Sequence, residues 1–264
     1  SSSFREIDYS RADETIREKL RSIINSNPHK PCILKEVNCQ KTEIPYSIRK
    51  NNVAGYTMEA KLGILPNGSA EPDYDGHEVK TLLGTTITLM TPEPKSGYYK
   101  EEGISNFLKR YGYPDSKTGE YRLSKRHKIN QRHHDTGLTL VIDHNNLHPS
   151  ENRVDFGGTL SLVEDDGTVA ASWELEALLR HWLTKHSSTV IVRAKKNERR
   201  IEFLPEVLFC YGPDPSGLID AFKRGLVYWD PGLKETKKRN QFRINLSDLK
   251  KSNLWDKILP VSLN

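Results

Sequence analysis

The residues best suited to chemistry lie in one short stretch, Pro72-Asp73-Tyr74-Asp75-Gly76-His77-Glu78-Val79-Lys80. An Asp near a turn is followed by Glu-x-Lys on what reads as a strand. Side chains alternate along a strand, so Glu78 and Lys80 share one face while His77 and Val79 take the other, Val79 toward the core. Asp73, just ahead of the turn, can close on Glu78. Two carboxylates so placed make a hard oxygen site of the kind Mg²⁺ prefers, with waters and a substrate phosphate completing the octahedron. Such an ion lowers the pKa of bound water and neutralises charge on a pentacovalent phosphate. Lys80 would orient the attacking water or stabilise the negative oxygens of the transition state. The bare triplet also fits a solvated hairpin edge with Glu78 and Lys80 exposed, and alone it does not choose. Asp75 competes with Asp73 as the ligand, and His77 reads as a structural or edge histidine.

These side chains need a scaffold, and the apolar spacing supplies one. A first helix starts at Ser10 as N-cap, with Ile16, Leu20, Ile23 and Ile24 on one face. A second runs from about Ile48 to Leu62 and aligns Val53, Tyr56 and Ala60, before a tight turn at Asn67-Gly68. Asp75 to Met90 reads as paired strands turning near Gly84-Thr85, and Ile104, Phe107, Leu108 and Tyr111 give another amphipathic helix. Thr159–Val163 and Thr168–Ser172 form a hairpin around Glu164-Asp165-Asp166-Gly167. Ser172 then caps a helix carrying Leu175, Leu178, Leu179, Trp182 and Leu183. Strands follow at Thr189–Arg193 and Ile201–Tyr211, and Asp214-Pro215 opens a helix with Leu218, Ile219 and Phe222 inward. The expected fold class is therefore α/β, mixed α+β, with helices covering sheets.

At 264 residues the chain suits one large domain or two closely packed lobes, and no repeat or flexible linker divides it. No apolar run approaches the ~18–20 residues of a membrane span, and Ser1 to Asp13 lacks a signal peptide's apolar segment. Cys32, Cys39 and Cys210 cannot make a disulfide framework, and Cys32 and Cys39 are too far apart for a zinc knuckle, so a reducing, cytoplasmic setting is expected. The net charge is only +5, but it is segregated. Lys117–Asp135 holds six Lys/Arg against two acids, Arg193–Arg200 five against one, and Lys223–Arg243 seven against two. Clusters of this kind suit a polyanion, since they neutralise phosphates and release counterions, although a single basic run is usually a solvated loop. His127, His133 and His134 have no cysteine nearby and are not expected to bind zinc.

The sequence resembles the MvaI/BcnI-type restriction endonucleases, relatives of the nicking enzyme MutH in the PD-(D/E)XK nuclease superfamily. The likeness rests on Gly55-Tyr56-Thr57-Met58-Glu59-Ala60-Lys61-Leu62-Gly63-Ile64, on Asn67-Gly68 and on Pro72 to Lys80. Glu59 lies fourteen residues before Asp73, where that family carries a helix-borne Glu, and Glu78 and Lys80 match its Glu-x-Lys. A looser likeness runs through Thr91 to Lys100 and returns at Lys238-Arg239-Asn240-Gln241-Phe242-Arg243-Ile244.

The resemblance implies a PD-(D/E)XK core with a central mixed sheet, a catalytic lobe over residues 1–155 and a DNA-recognition lobe over 156–264. It implies Mg²⁺-dependent hydrolysis of double-stranded DNA, Mn²⁺ substituting, by a bacterial or archaeal monomer with a cognate methyltransferase or another defence-system partner. Asp73 and Glu78 become metal ligands, Lys80 the catalytic lysine, and Glu59 a helper holding a metal-bound water or second ion. Lys237, Lys238, Arg239, Asn240, Gln241 and Arg243 are the candidates for base readout. Arg122, Lys125, Arg126, Lys128 and Arg132, with His127, His133 and His134, are candidates for gripping phosphates. The alternatives are a MutH-like nicking enzyme activated by a partner and an inactive DNA-binding module, the latter opposed by the intact Glu59, Asp73, Glu78 and Lys80.

Overall fold

The computed structural model describes residues 9–66, 71–143 and 157–264, with side chains from residue 13 onward. The turn expected at Asn67-Gly68 lies outside the described residues, as does the lobe boundary expected at 155. In chain order the elements begin with α1 (Tyr9–Asn25), β1 (Cys32–Val37), β2 (Gln40–Pro45), α2 (Val53–Leu62) and β3 (Glu78–Leu82). Next come β4 (Thr86–Met90), α3 (Tyr98–Glu101), α4 (Gly103–Tyr111), β5 (Tyr113–Pro114), β6 (Tyr121–Leu123) and β7 (Thr139–Asp143). They are followed by β8 (Thr159–Val163), β9 (Val169–Glu174), α5 (Leu175–Lys185), β10 (Ser188–Asn197) and β11 (Arg200–Pro213). The last are α6 (Pro215–Lys223), β12 (Val227–Trp229), β13 (Gly232–Lys234), β14 (Lys237–Arg239), β15 (Phe242–Asn245), a 3-10 turn (Leu246–Lys251) and β16 (Trp255–Ser262).

Two compact units result, and they interleave in sequence. One comprises residues 1–85, 184–213 and 255–264, the other 86–183 and 214–254. A single division near residue 155 therefore does not describe them. The reason is a pairing that sequence adjacency hides: β3 and β4 do not pair with each other. β3 joins β10 in parallel, and β4 joins β15 antiparallel. A parallel pair needs a long crossover, and here that crossover contains most of the second unit.

The first unit is built on the sheet β16-β11-β10-β3, with β3 at its edge. Val79 lies opposite Val190, and Glu78 opposite Thr189. Ile16, Leu20, Ile23 and Ile24 of α1 and Val53, Ala54, Met58 and Leu62 of α2 pack with Val190, Val192, Ile201, Phe203, Val207 and Phe209 into one core, with Val79 against it. The helix expected from Ile48 starts at Val53, because Tyr46 donates to Asn52 Oδ1 (3.1 Å) and Lys50 N–H to Ser47 O, holding the residues before it in turns. Gly63 stops the helix at φ +80°, where a left-handed residue caps the last turn and glycine carries no Cβ penalty.

Among the described residues, the second unit holds three sheets, β12-β15-β4, β14-β13-β6-β5 and β7-β8-β9. Its centre is aromatic: Trp173 meets Phe242 edge-on at 5.1 Å, and Phe222 meets Phe242 at 5.4 Å. Ser172 is not a helix cap. It lies inside β9, buried, with its Oγ 2.7 Å from Ser161 Oγ across the β8–β9 pair. Asp214 does cap α6, accepting from Ser216 N–H at 2.8 Å ahead of Pro215. No helix among the described residues is long and apolar enough to cross a membrane.

Candidate active site

Asp73, Glu78 and Lys80 are drawn together by the turn between them. Asp75 and Gly76 both have positive φ (+46° and +79°), and Tyr74 and His77 exchange backbone hydrogen bonds of 2.9 and 2.8 Å across them. That is the pattern of a type I′ hairpin turn, for which Asp-Gly is a favoured pair. The chain folds back so that Asp73 Oδ2 accepts from Val79 N–H at 3.1 Å. Asp73 is thereby fixed beside the strand that carries Glu78. Asp75 remains exposed at the turn tip and does not compete for the site.

Glu78 is buried, 2% exposed, and ion-paired on both oxygens: Lys80 holds Oε1, and Lys185 Nζ lies 3.0 Å from Oε2. Burial alone would raise its pKa, but Lys80 and then Lys185 outweigh burial and keep it below the usual carboxylate value. Its two carboxylate neighbours go the other way. Burial, then the charges of Asp73 and Glu78, push Glu59 up to about 7. Burial, then Glu78, push Asp73 up to about 6, against the pull of the Val79 N–H. Glu59 on α2 therefore belongs to the same electrostatic cluster as Asp73 and Glu78. Two carboxylates raised by burial and by neighbouring negative charge, beside a third held ionised by its lysines, form a hard-oxygen donor set, which suits a divalent cation such as Mg²⁺.

His77 faces away from Glu78. Its Nδ1 is 2.6 Å from Ser188 Oγ and its Nε2 3.6 Å from Asp13 Oδ1, while Tyr211 donates to Asp13 Oδ2 at 2.7 Å. Burial holds its pKa down against Asp13 and Asp75, so it is a neutral, structural histidine.

All eleven candidate DNA contacts fall in the second unit, and the sheet β14-β13-β6-β5 joins two of the basic windows: Lys234 pairs with both Arg122 and Lys237. Lys237, Lys238 and Arg239 are exposed on β14. Arg126 stacks over Tyr228 at 4.2 Å, and Lys128 lays its stem beside Gly225. Several of the others already have acidic partners: Arg122 with Asp115 (3.0 Å), Lys125 with Asp135 (2.5 Å), Arg132 with Asp165 (2.7 Å) and Arg243 with Asp230 (2.9 Å). Gln241 is half-buried and ties Asp230 N–H to its carbonyl. Asn240 is fully buried, donating to Tyr99 OH at 3.2 Å, so its side chain is not at the surface to read a base. The third basic window, Arg193–Arg200, forms the exposed end of the β10–β11 hairpin in the first unit.

His127 is not free to bind a metal or a phosphate: Nδ1 is 2.8 Å from Lys125 O and Nε2 2.8 Å from Thr136 Oγ1. Among the described residues, His133, His134 and Asp135 bring ligand atoms within 4.8 Å of one another. Those atoms are already engaged, His134 with Asp135 at 2.7 Å and Asp135 with Lys125.

A mixed α+β protein with a Glu-x-Lys strand edge and an acidic helix residue beside it has the layout of a restriction-endonuclease core. The structure of the MvaI restriction endonuclease in complex with its cognate DNA substrate matches with a TM-score of 0.69 at 15% identity, covering 94% of this chain and 97% of that one. MvaI in the absence of DNA matches at 13% identity with a TM-score of 0.45, covering 96% and 98%. No curated protein matches the sequence. The profile of the MvaI/BcnI restriction endonuclease family matches residues 18–252, and the chain belongs to that family. Its activity class is that of a type II-like deoxyribonuclease.

Lys185 is the site residue that sequence reading passed over. It ends an amphipathic helix far from the motif, and only the parallel β3–β10 pairing brings its end of the chain to Glu78.

Proposed function

We propose that this chain is a Mg²⁺-dependent, sequence-specific endonuclease acting on double-stranded DNA, with Asp73 and Glu78 as the ion's protein ligands and Glu59 as their acidic support. The observation that carries the reading is the electrostatic cluster of these three carboxylates around the buried Glu78 of a Glu-x-Lys strand. When bound, the cation supplies charge neutralisation at the phosphate and acidifies water. The chain's own residues do the rest. Asp73 is pre-positioned by the Val79 N–H, so little ordering remains to be done on binding. Lys80, engaged with Glu78 in the free protein, supplies a positive charge beside the place where negative charge builds on phosphate oxygens. Glu59 at a raised pKa can exchange a proton near neutral pH.

Cationic and polar side chains of the second unit grip phosphates and read bases, with Lys237, Lys238, Arg239, Gln241 and Arg243 on the readout side and Arg122, Lys125, Arg126, Lys128 and Arg132 on the backbone side. We also propose action as a monomer in the cytoplasm, beside a methyltransferase of matching specificity. Plasmid digestion with and without Mg²⁺ tests the core of this reading. Linear product that needs Mg²⁺ is expected, and Asp73→Ala should give none while still shifting DNA on a gel. Open-circle product alone would mean nicking. Full activity in Asp73→Ala would place the chemistry elsewhere.

A further inference from the structure

Glu78 is flanked by two ammonium groups where one would neutralise it. Lys80 stands two residues along the same strand, and Lys185, 17% exposed, comes from the last turn of α5 to within 3.0 Å of Oε2. A helix C-terminus favours a cation, but that preference is met at the surface and does not call for burying the ammonium against a carboxylate of the site. Desolvating a second lysine is costly unless its charge is used.

Its use follows from the charge count. In the free protein three carboxylates face two lysines. A divalent cation arriving at Asp73 and Glu78 would reverse the balance, and at a few ångströms it would repel an ammonium on the same carboxylate. The substrate brings the anion that such a displaced lysine needs.

We propose that Lys185 is a second lysine of the active site: the counter-ion of Glu78 in the free enzyme, and a ligand of a substrate phosphate oxygen once cation and DNA are bound. Lys185 thus competes with the cation for Glu78 and cooperates with it on the phosphate. The inference rests on reading Asp73 and Glu78 as cation ligands, and its test has a readout of its own.

The test uses Lys185→Met and Lys185→Gln, which remove the charge, and Lys185→Arg, which keeps it. Mn²⁺ affinity of the whole chain without DNA is measured by calorimetry, and single-turnover cleavage of plasmid at saturating Mn²⁺ is measured in parallel. Either neutral variant should bind Mn²⁺ at least about tenfold more tightly, yet cleave about a hundredfold more slowly. Lys185→Arg should keep wild-type Mn²⁺ affinity and recover part of the rate. Opposite signs in binding and cleavage are not expected of a residue that only braces the fold. Unchanged or weaker Mn²⁺ binding in the neutral variants, or wild-type cleavage by them, would overturn the proposal. A wild-type enzyme that binds no Mn²⁺ and cuts without it would instead sink the metal reading of Asp73 and Glu78.

Discussion

The two units treat charge in opposite ways. In the first, Glu59, Asp73, Glu78, Lys80 and Lys185 are crowded and half-buried or buried, and the carboxylate pKa values are driven apart. In the second, most charges are exposed, and several cations rest in surface ion pairs such as Arg132–Asp165 and Arg110–Glu164. Exposed pairs of this sort are worth about 0–1 kcal/mol each, so on the proposed reading DNA phosphates would replace the acidic partners at little cost. Buried charges are not exchanged so cheaply, because a buried ion that loses its partner must be given another. One unit stores electrostatic strain and the other keeps its charges ready to trade.

The largest expected effect breaks that contrast at its centre. Lys80→Ala should slow single-turnover cleavage by about a thousandfold or more, with DNA affinity on gels close to wild type. A comparable loss of binding would mean that Lys80 belongs with the gripping charges.

The contrast sharpens in the pH dependence of stability, where Glu59 and Asp73 of the first unit and His127 of the second carry opposite signs. Glu59 and Asp73 have folded-state pKa values near 7 and 6, above their ordinary 4.5 and 3.8, so the folded protein holds protons that the unfolded chain releases. Stability from these two groups is present at acid pH and falls as pH rises toward 7. His127, sunk by burial to about 4 from 6.5, does the reverse: the unfolded chain takes the proton first, so stability is full above 6.5 and falls as pH drops toward 4, by up to about 3 kcal/mol. Melting curves from pH 4 to 8 should flatten on the alkaline side for Glu59→Gln and on the acid side for His127→Gln. Mg²⁺ should raise the melting temperature more at pH 8 than at pH 5. Equal Mg²⁺ shifts at both would deny the carboxylates their role. Glu59→Gln should also slow cleavage at least tenfold, about 1.4 kcal/mol.

Smaller effects separate the charges within the second unit. Arg239→Ala should lose about 1–3 kcal/mol of discrimination between cognate and altered sites in competition binding. Lys128→Ala should weaken binding to every sequence alike and lower the salt slope by about 1. Sequence-independent losses from both would leave base readout unassigned. Smallest of all, Arg132→Ala should change the unfolding free energy by less than about 1 kcal/mol in denaturant titration, since its partner Asp165 is solvent-facing.

The local features of the site were legible in the sequence because they depend on neighbours along the chain. A turn after Asp73 and alternation along the strand put Glu78 with Lys80, and the apolar spacing of α2 carried the helix to Leu62. What depended on distant pairing was not. Asp75 to Met90 reads as a hairpin, yet β3 finds its partner in β10 and β4 in β15, because each strand is buried by a different unit. Lys185 carried no spacing that could select it. Asn240 sits in a basic run that reads as surface, but its amide is tied inward to Tyr99.

The same long-range pairing bears on how the enzyme comes into being. Glu78 stands on a strand whose neighbour begins at Ser188, and β11 in turn pairs with β16, at residues 255–262. Contacts of such high sequence separation form late, and during synthesis they cannot form before both partners have left the ribosome. A growing chain that has emitted its Glu-x-Lys strand still lacks Lys185 and the sheet that holds Glu78 in place. Topology thus delays the fixing of Glu78 until residues 188–262 have been made and the sheet can close.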